Sequence, residues 1–169
     1  MLDALCGILS GTTRSPNAIL RVMLDETNSE DTKNNRERMR QKLRAMRRHG
    51  YISEYANTYT LSDKGRHIME KEKLWSLSIP TPKRHDGLWR ILVFDIPKEK
   101  SGVRIVFVRL LQNLGLRFYQ RSVWIYPFPF ENEVKKIGKV YGILQHVSFI
   151  TAAQIDRVAT LRKEFRILD

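Results

Sequence analysis

The spacing of apolar residues changes character midway along the chain. In KNNRERMRQKLRAMRRHG, Met39, Leu43 and Met46 recur at i, i+4 and i+7, the mark of one buried helix face. Gly50 ends that segment as a helix-terminating glycine does. Upstream, residues near 2–9 and 17–25 read as short apolar-periodic helices, the second with Ser15 as its cap and Pro16 in its first turn. A polar loop, Asp25 to Asp31, precedes the long helix. Downstream, YISEYANTYTLS alternates Tyr51/Ile52, Tyr55, Tyr59 and Leu61 around Ala56 and Asn57, which predicts a β-hairpin. Ser62 to Lys73 has helix-forming composition, with Ser62 or Asp63 as its cap.

WSLSIPTPKRHDG, Trp75 to Gly87, breaks the pattern. Pro80 and Pro82 interrupt regular structure and the end of the stretch is polar, so it reads as a linker. Beyond it, strand and helix alternate. Leu88 to Ile96 is apolar on both faces, as a central strand is. Val103, Val106, Phe107, Leu110, Leu111 and Leu114 line one face of a helix over 102–114, closed by Gly115. Strands follow over 116–120 and 122–126, the second stopped by Pro127 and Pro129. Then come a helix over 131–141, a strand over 144–151 and a terminal helix over 153–165. The order β-α-β-β-α-β is the ferredoxin-like arrangement. The expected class is α+β, divided into a first domain over 1–74, a linker over 75–87 and a second domain over 88–169.

Composition narrows the function. The 169 residues carry a formal charge of +12. A charge of that sign and size attracts polyanions through counterion release, which puts nucleic acid ahead of an anionic membrane surface as partner. No apolar run approaches the roughly 20 residues a membrane span needs. The opening MLDALCGILSG, with Asp3 where positive charge belongs, does not read as a signal peptide. One cysteine, Cys6, excludes an internal disulfide and fits a reducing cytoplasm. His49, His67, His85 and His146 lack metal-ligand spacing, so a zinc site is not expected, and there is no phosphate-binding glycine loop.

The long helix holds much of the charge. Lys33, Arg36, Arg38, Arg40, Lys42, Arg44, Arg47 and Arg48 stand against one acid, Glu37. Arg36, Arg40, Arg44 and Arg47 share one stripe, expected roughly opposite the Met39/Leu43/Met46 face. Arginine reads guanine edges and clamps phosphates, while Asn34 and Asn35 at the helix start are suited to adenine. The plainer alternative is a solvated basic face. A basic helix followed by HGYISEYANTYTLSDKG resembles a winged helix-turn-helix domain, which implies a helix in the major groove of duplex DNA and a hairpin touching the backbone or minor groove.

In the second half, WRILVFDIPKEKSGVRIVFVRLLQNLGLRFYQRSVWIYPFP resembles the small CRISPR-associated endonucleases of the Cas-two family. The shared features are a strand ending in Asp95, helix arginines Arg104 and Arg109, Leu114-Gly115, and Gln120-Arg121-Ser122-Val123-Trp124. The chain also resembles the phenylacetate-pathway (PaaX-like) repressors, which join a winged helix to a similar domain. The first resemblance implies a homodimer through the ferredoxin-like domain. It also implies that Asp95 binds Mg²⁺ (or Mn²⁺) for phosphodiester hydrolysis, with Arg104, Arg109 and Ser122 as phosphate contacts. The chemistry is coherent, because magnesium needs only one or two carboxylates beside substrate phosphate and water. The competing role for Asp95 is a cap on the turn over 98–102. Two functions follow: a metal-dependent endonuclease on double-stranded DNA, and, as the alternative, a non-catalytic repressor binding an operator. RNA stays open as a further partner.

Overall fold

The computed structural model describes residues 14–26 and 32–167, and these divide into two compact units that meet between Lys73 and Leu74. The helix expected near 2–9, Cys6 and most of the loop before the long helix lie outside the described residues.

In the first unit, α1 runs over Pro16–Glu26 and α2 over Lys33–Arg48. The hairpin is β1, Ile52–Tyr55, paired antiparallel with β2, Thr58–Leu61, and α3 follows over Asp63–Lys73. Ala56 and Asn57 take φ of +46° and +58°, the left-handed pair that a two-residue hairpin loop needs to match strand twist. Ser62 Oγ accepts from Gly65 N at 3.0 Å, so Ser62 rather than Asp63 caps α3. Ile19, Met39, Leu43, Ile52, Tyr59, Leu61 and Met69 form one core, with Met46 packed at its edge. One pairing has no counterpart in the expected elements. Arg14 forms an antiparallel bridge with Tyr59, its N–H donating to Tyr59 O at 3.3 Å and its carbonyl accepting from Tyr59 N at 2.9 Å.

The second unit contains β3, Trp89–Phe94; α4, Ser101–Asn113; β4, Arg117–Gln120; β5, Val123–Tyr126; α5, Glu131–Val140; β6, Val147–Ala152; and α6, Val158–Glu164. The four strands form an antiparallel sheet in the order β4-β5-β3-β6, the ferredoxin-like order. β3 is central, paired with both β5 and β6, and its two faces are apolar because helices cover both. Leu92, Phe94 and Trp124 meet Phe107, Leu110, Leu111, Val134 and Ile137 of α4 and α5 in the main core. Trp89 and Ile125 on the opposite face meet Leu161 of α6.

Three stretches depart from the pattern-based reading. Leu77 and Ile79, in the segment read as a linker, pack into the main core, as does Leu74, read as the last residue of the first domain. The strand expected from 144 begins at Val147, because 144–146 form a 3₁₀ turn whose Leu144 lies against Gly138 of α5. The terminal helix expected from 153 begins at Val158, because Arg157 takes a φ of +61° and so stands outside the helix.

Candidate nucleic-acid interface

α2 is a helix closed at both ends by its own sequence. Thr32 Oγ1 accepts from Asn35 N at 3.2 Å at the start. At the end, Gly50 at φ +72° donates to Arg47 O and Tyr51 N donates to Met46 O, both at 2.9 Å, the paired bonds of a Schellman cap. Arg47 and Arg48 lie in the last turn, where the helix dipole favours cations. The apolar positions Met39 and Leu43 are buried, so the rest of the helix surface is left for charge.

Lys33, Asn34, Arg36, Arg40, Arg44, Arg47 and Arg48 are exposed, and Asn35 is half-buried beside the cap. At about 100° per residue, the Arg36/Arg40/Arg44/Arg47 stripe falls roughly a quarter turn from the Met39/Leu43/Met46 face. The stripe therefore flanks the buried face and does not oppose it, which corrects the sequence reading. Its arginines are not all free. Glu37 lies 3.7 Å from Arg40 Nη1 and 3.5 Å from Arg44 Nη1. Arg47 pairs with Glu54 on β1, which ties the end of α2 to the hairpin. Lys64 of α3 donates to His49 O at 2.9 Å and lies 5.0 Å from the Tyr51 ring centre, holding the helix end from the other side. The hairpin tip carries Tyr55, 85% exposed.

The second candidate site is the end of β3. Asp95 is exposed, and its backbone N–H donates to His146 O at 2.9 Å. Its carboxylate makes no hydrogen bond or ion pair among the described residues. The 3₁₀ turn Lys98–Lys100 has Pro97 as its N-cap and no side-chain cap, so Asp95 is not the turn cap. Ser122 stands close to the same strand end, since its carbonyl accepts from Phe94 N at 3.1 Å. Arg104 is half-buried. It donates to Ser122 Oγ at 3.2 Å, and its guanidinium lies 5.9 Å from the Phe94 ring centre. Arg109 is five residues along α4, about 140° around it. It is exposed and makes no ion pair among the described residues. Thus Arg104 and Ser122 come together and Arg109 does not join them. No group of three or more His, Cys, Asp or Glu side chains converges among the described residues. A divalent cation at Asp95 would therefore rely on water, substrate phosphate or a second protomer for its other ligands.

Sequence reasoning missed Arg14 and Glu54. Nothing in TTRS announces a one-residue bridge, and Glu54 looks like an ordinary outward strand residue until Arg47 is brought to it. No helix among the described residues is long and apolar enough to cross a membrane. Residues 82–164 match the family model described as the PaaX protein central Cas2-like domain. The second unit is similar to that domain, in keeping with its strand order. No curated protein matches the chain.

Proposed function

We propose that the chain is a duplex-DNA-binding regulator of the PaaX kind, whose first unit is a winged helix-turn-helix and whose second unit joins two copies. The observation that carries this is the pairing of a PaaX-type Cas2-like domain with a unit whose one strongly basic helix runs straight into a hairpin. The Arg14–Tyr59 bridge supports the winged-helix reading, because it brings the chain before α1 beside the hairpin, where that fold pairs a short extra segment. α2 enters the major groove, and Tyr55, Ala56 and Asn57 at the hairpin tip reach the backbone or minor groove. The outer edge of β6, the last strand of the sheet among the described residues, is open to pairing with a second copy, which supports a homodimer through the second unit. Two first units on one dimer suit a two-fold-symmetric operator.

A second reading keeps the exposed, unpaired Asp95 as a Mg²⁺ or Mn²⁺ ligand in an endonuclease, with the basic helix supplying affinity. One experiment separates the two. Purified protein and Asp95→Ala are incubated with plasmid, linear duplex and RNA, each with Mg²⁺, with Mn²⁺ and with EDTA. Cleavage and binding are read side by side, and the dimer state of the variant is checked. A regulator binds without cutting, is indifferent to Asp95→Ala, and prefers its operator by about 10³-fold or more over bulk DNA. Metal-dependent cutting that disappears in the folded variant would replace this reading with the nuclease.

A further inference from the structure

The residues of α2 farthest from its core are not its most basic ones. Opposite the Met39/Leu43/Met46 face, the helix presents Asn34, Glu37, Gln41, Arg44 and Arg48, spaced i, i+3, i+7, i+10 and i+14. This ridge holds two amides, a carboxylate and two guanidiniums. Arg36, Arg40 and Arg47 stand to one side of it. A helix built only to grip a polyanion would carry its bases on the outermost ridge. Here that ridge bears neutral Asn34 and Gln41, and the single acid of the helix.

Stability does not account for the acid. Glu37 sits 3.7 and 3.5 Å from Arg40 and Arg44, looser than a charge-assisted hydrogen bond, with its side chain 45% exposed. Exposed pairs of this kind contribute little. Beside phosphate a carboxylate is repelled, so Glu37 opposes general DNA affinity. What a carboxylate does in the major groove is accept from the exocyclic amine of cytosine, and glutamine pairs with the edge of adenine. Gln41 is exposed and has no partner among the described residues.

We infer that Glu37 and Gln41 are base-reading, specificity-determining residues, while Arg36, Arg40 and Arg47 on the flank grip the phosphate backbone. The inference rests on the proposed entry of α2 into the major groove and adds which base contacts it makes: a C·G pair opposite Glu37 and an A·T pair opposite Gln41.

The test uses the full chain and a pool of randomised duplex DNA, from which wild type, Glu37→Gln and Gln41→Ala each select their preferred sequences. Affinity for unselected duplex is measured across salt, and thermal melts monitor folding. Wild type enriches a motif in which one C·G position has an advantage of about tenfold or more. In Glu37→Gln that advantage falls towards one, the rest of the motif persists, and unselected duplex binds more tightly with a salt slope steeper by about one. In Gln41→Ala a neighbouring A·T position relaxes instead. If both folded variants select the wild-type motif with every preference intact, the base-reading assignment is overturned and DNA binding by α2 stands. If wild type binds duplex but enriches no motif, base reading is overturned as well. If wild type binds no duplex, the proposed function falls with it. Should Glu37→Gln melt early, Gln41→Ala decides, because its side chain supports nothing else.

Discussion

Arg104 on α4 donates to Ser122 Oγ, 3.2 Å away in the turn between β4 and β5, and lays its guanidinium over Phe94. A residue expected to meet phosphate thus spends its fork inside its own unit, next to the strand end that carries Asp95. Arg104→Ala removes a charge-assisted hydrogen bond and a cation–π contact, so it should destabilise the second unit by about 1–2 kcal/mol. Ser122→Ala should cost about half as much, because half-buried Arg104 regains water. Arg109→Ala should stay within about 0.5 kcal/mol of wild type. Urea melts check all three. DNA affinity that falls with Arg104→Ala at unchanged stability would restore the phosphate role.

The arginine stripe should act mainly through phosphate. Replacing Arg36, Arg40 and Arg44 together by Ala should weaken duplex binding and reduce the slope of log affinity against log salt by about 3. Titration at several salt concentrations reads this directly. An unchanged slope would make the stripe a solvated face.

Gly65 is a packing requirement of the first unit. A Cβ there would overlap Tyr51 O and stand 2.9 Å from Leu61 Cδ2, between the end of α2 and the hairpin. Backbone cannot give way as a flexible side chain can, so Gly65→Ala should cost about 1–3 kcal/mol. It should shift the thermal transition of the first unit and leave the second unit's unmoved, as calorimetry would show.

Asp86 and Arg90 set an acid limit on the second unit. Asp86 Oδ1 accepts from Arg90 Nη1 at 2.6 Å and from Leu88 N at 3.0 Å, anchoring the 83–88 stretch to β3. The Arg90 hydrogen bond holds the Asp86 carboxyl well below its ordinary 3.8, and the carboxylate in turn raises Arg90. A carboxyl lowered by folding stabilises above its unfolded value and stops doing so as pH falls through the folded one. Because the Asp86 side chain is 49% exposed, solvent screens the pair and its contribution at neutral pH is about 1 kcal/mol or less. Asp86→Asn should therefore lie below wild type at pH 7, with the gap beginning to close only as pH falls below about 4. Melts across that window test the sign.

Much of this protein was written in local pattern. The buried face of α2, the Ala56–Asn57 turn, the central position of β3 and the β-α-β-β-α-β succession of elements follow from periodicity, turn chemistry and two-sided apolarity, all of which act over a few neighbouring residues. The exposed basic residues of α2 were legible for the same reason. The offset of the arginine stripe and the acid-bearing outer ridge follow from helical phase alone. Other features needed the folded chain. The Arg47–Glu54 pair, the Arg14–Tyr59 bridge and the Arg104–Ser122 bond join residues 7, 45 and 18 positions apart. The free carboxylate of Asp95 likewise depends on where the 98–100 turn finds its cap. Sequence carries hydrophobic period and capping chemistry because their energies are local. Which polar side chains meet, and which are left to face a partner, is set by packing across the sheet and between helices, where distance along the chain no longer measures distance in space.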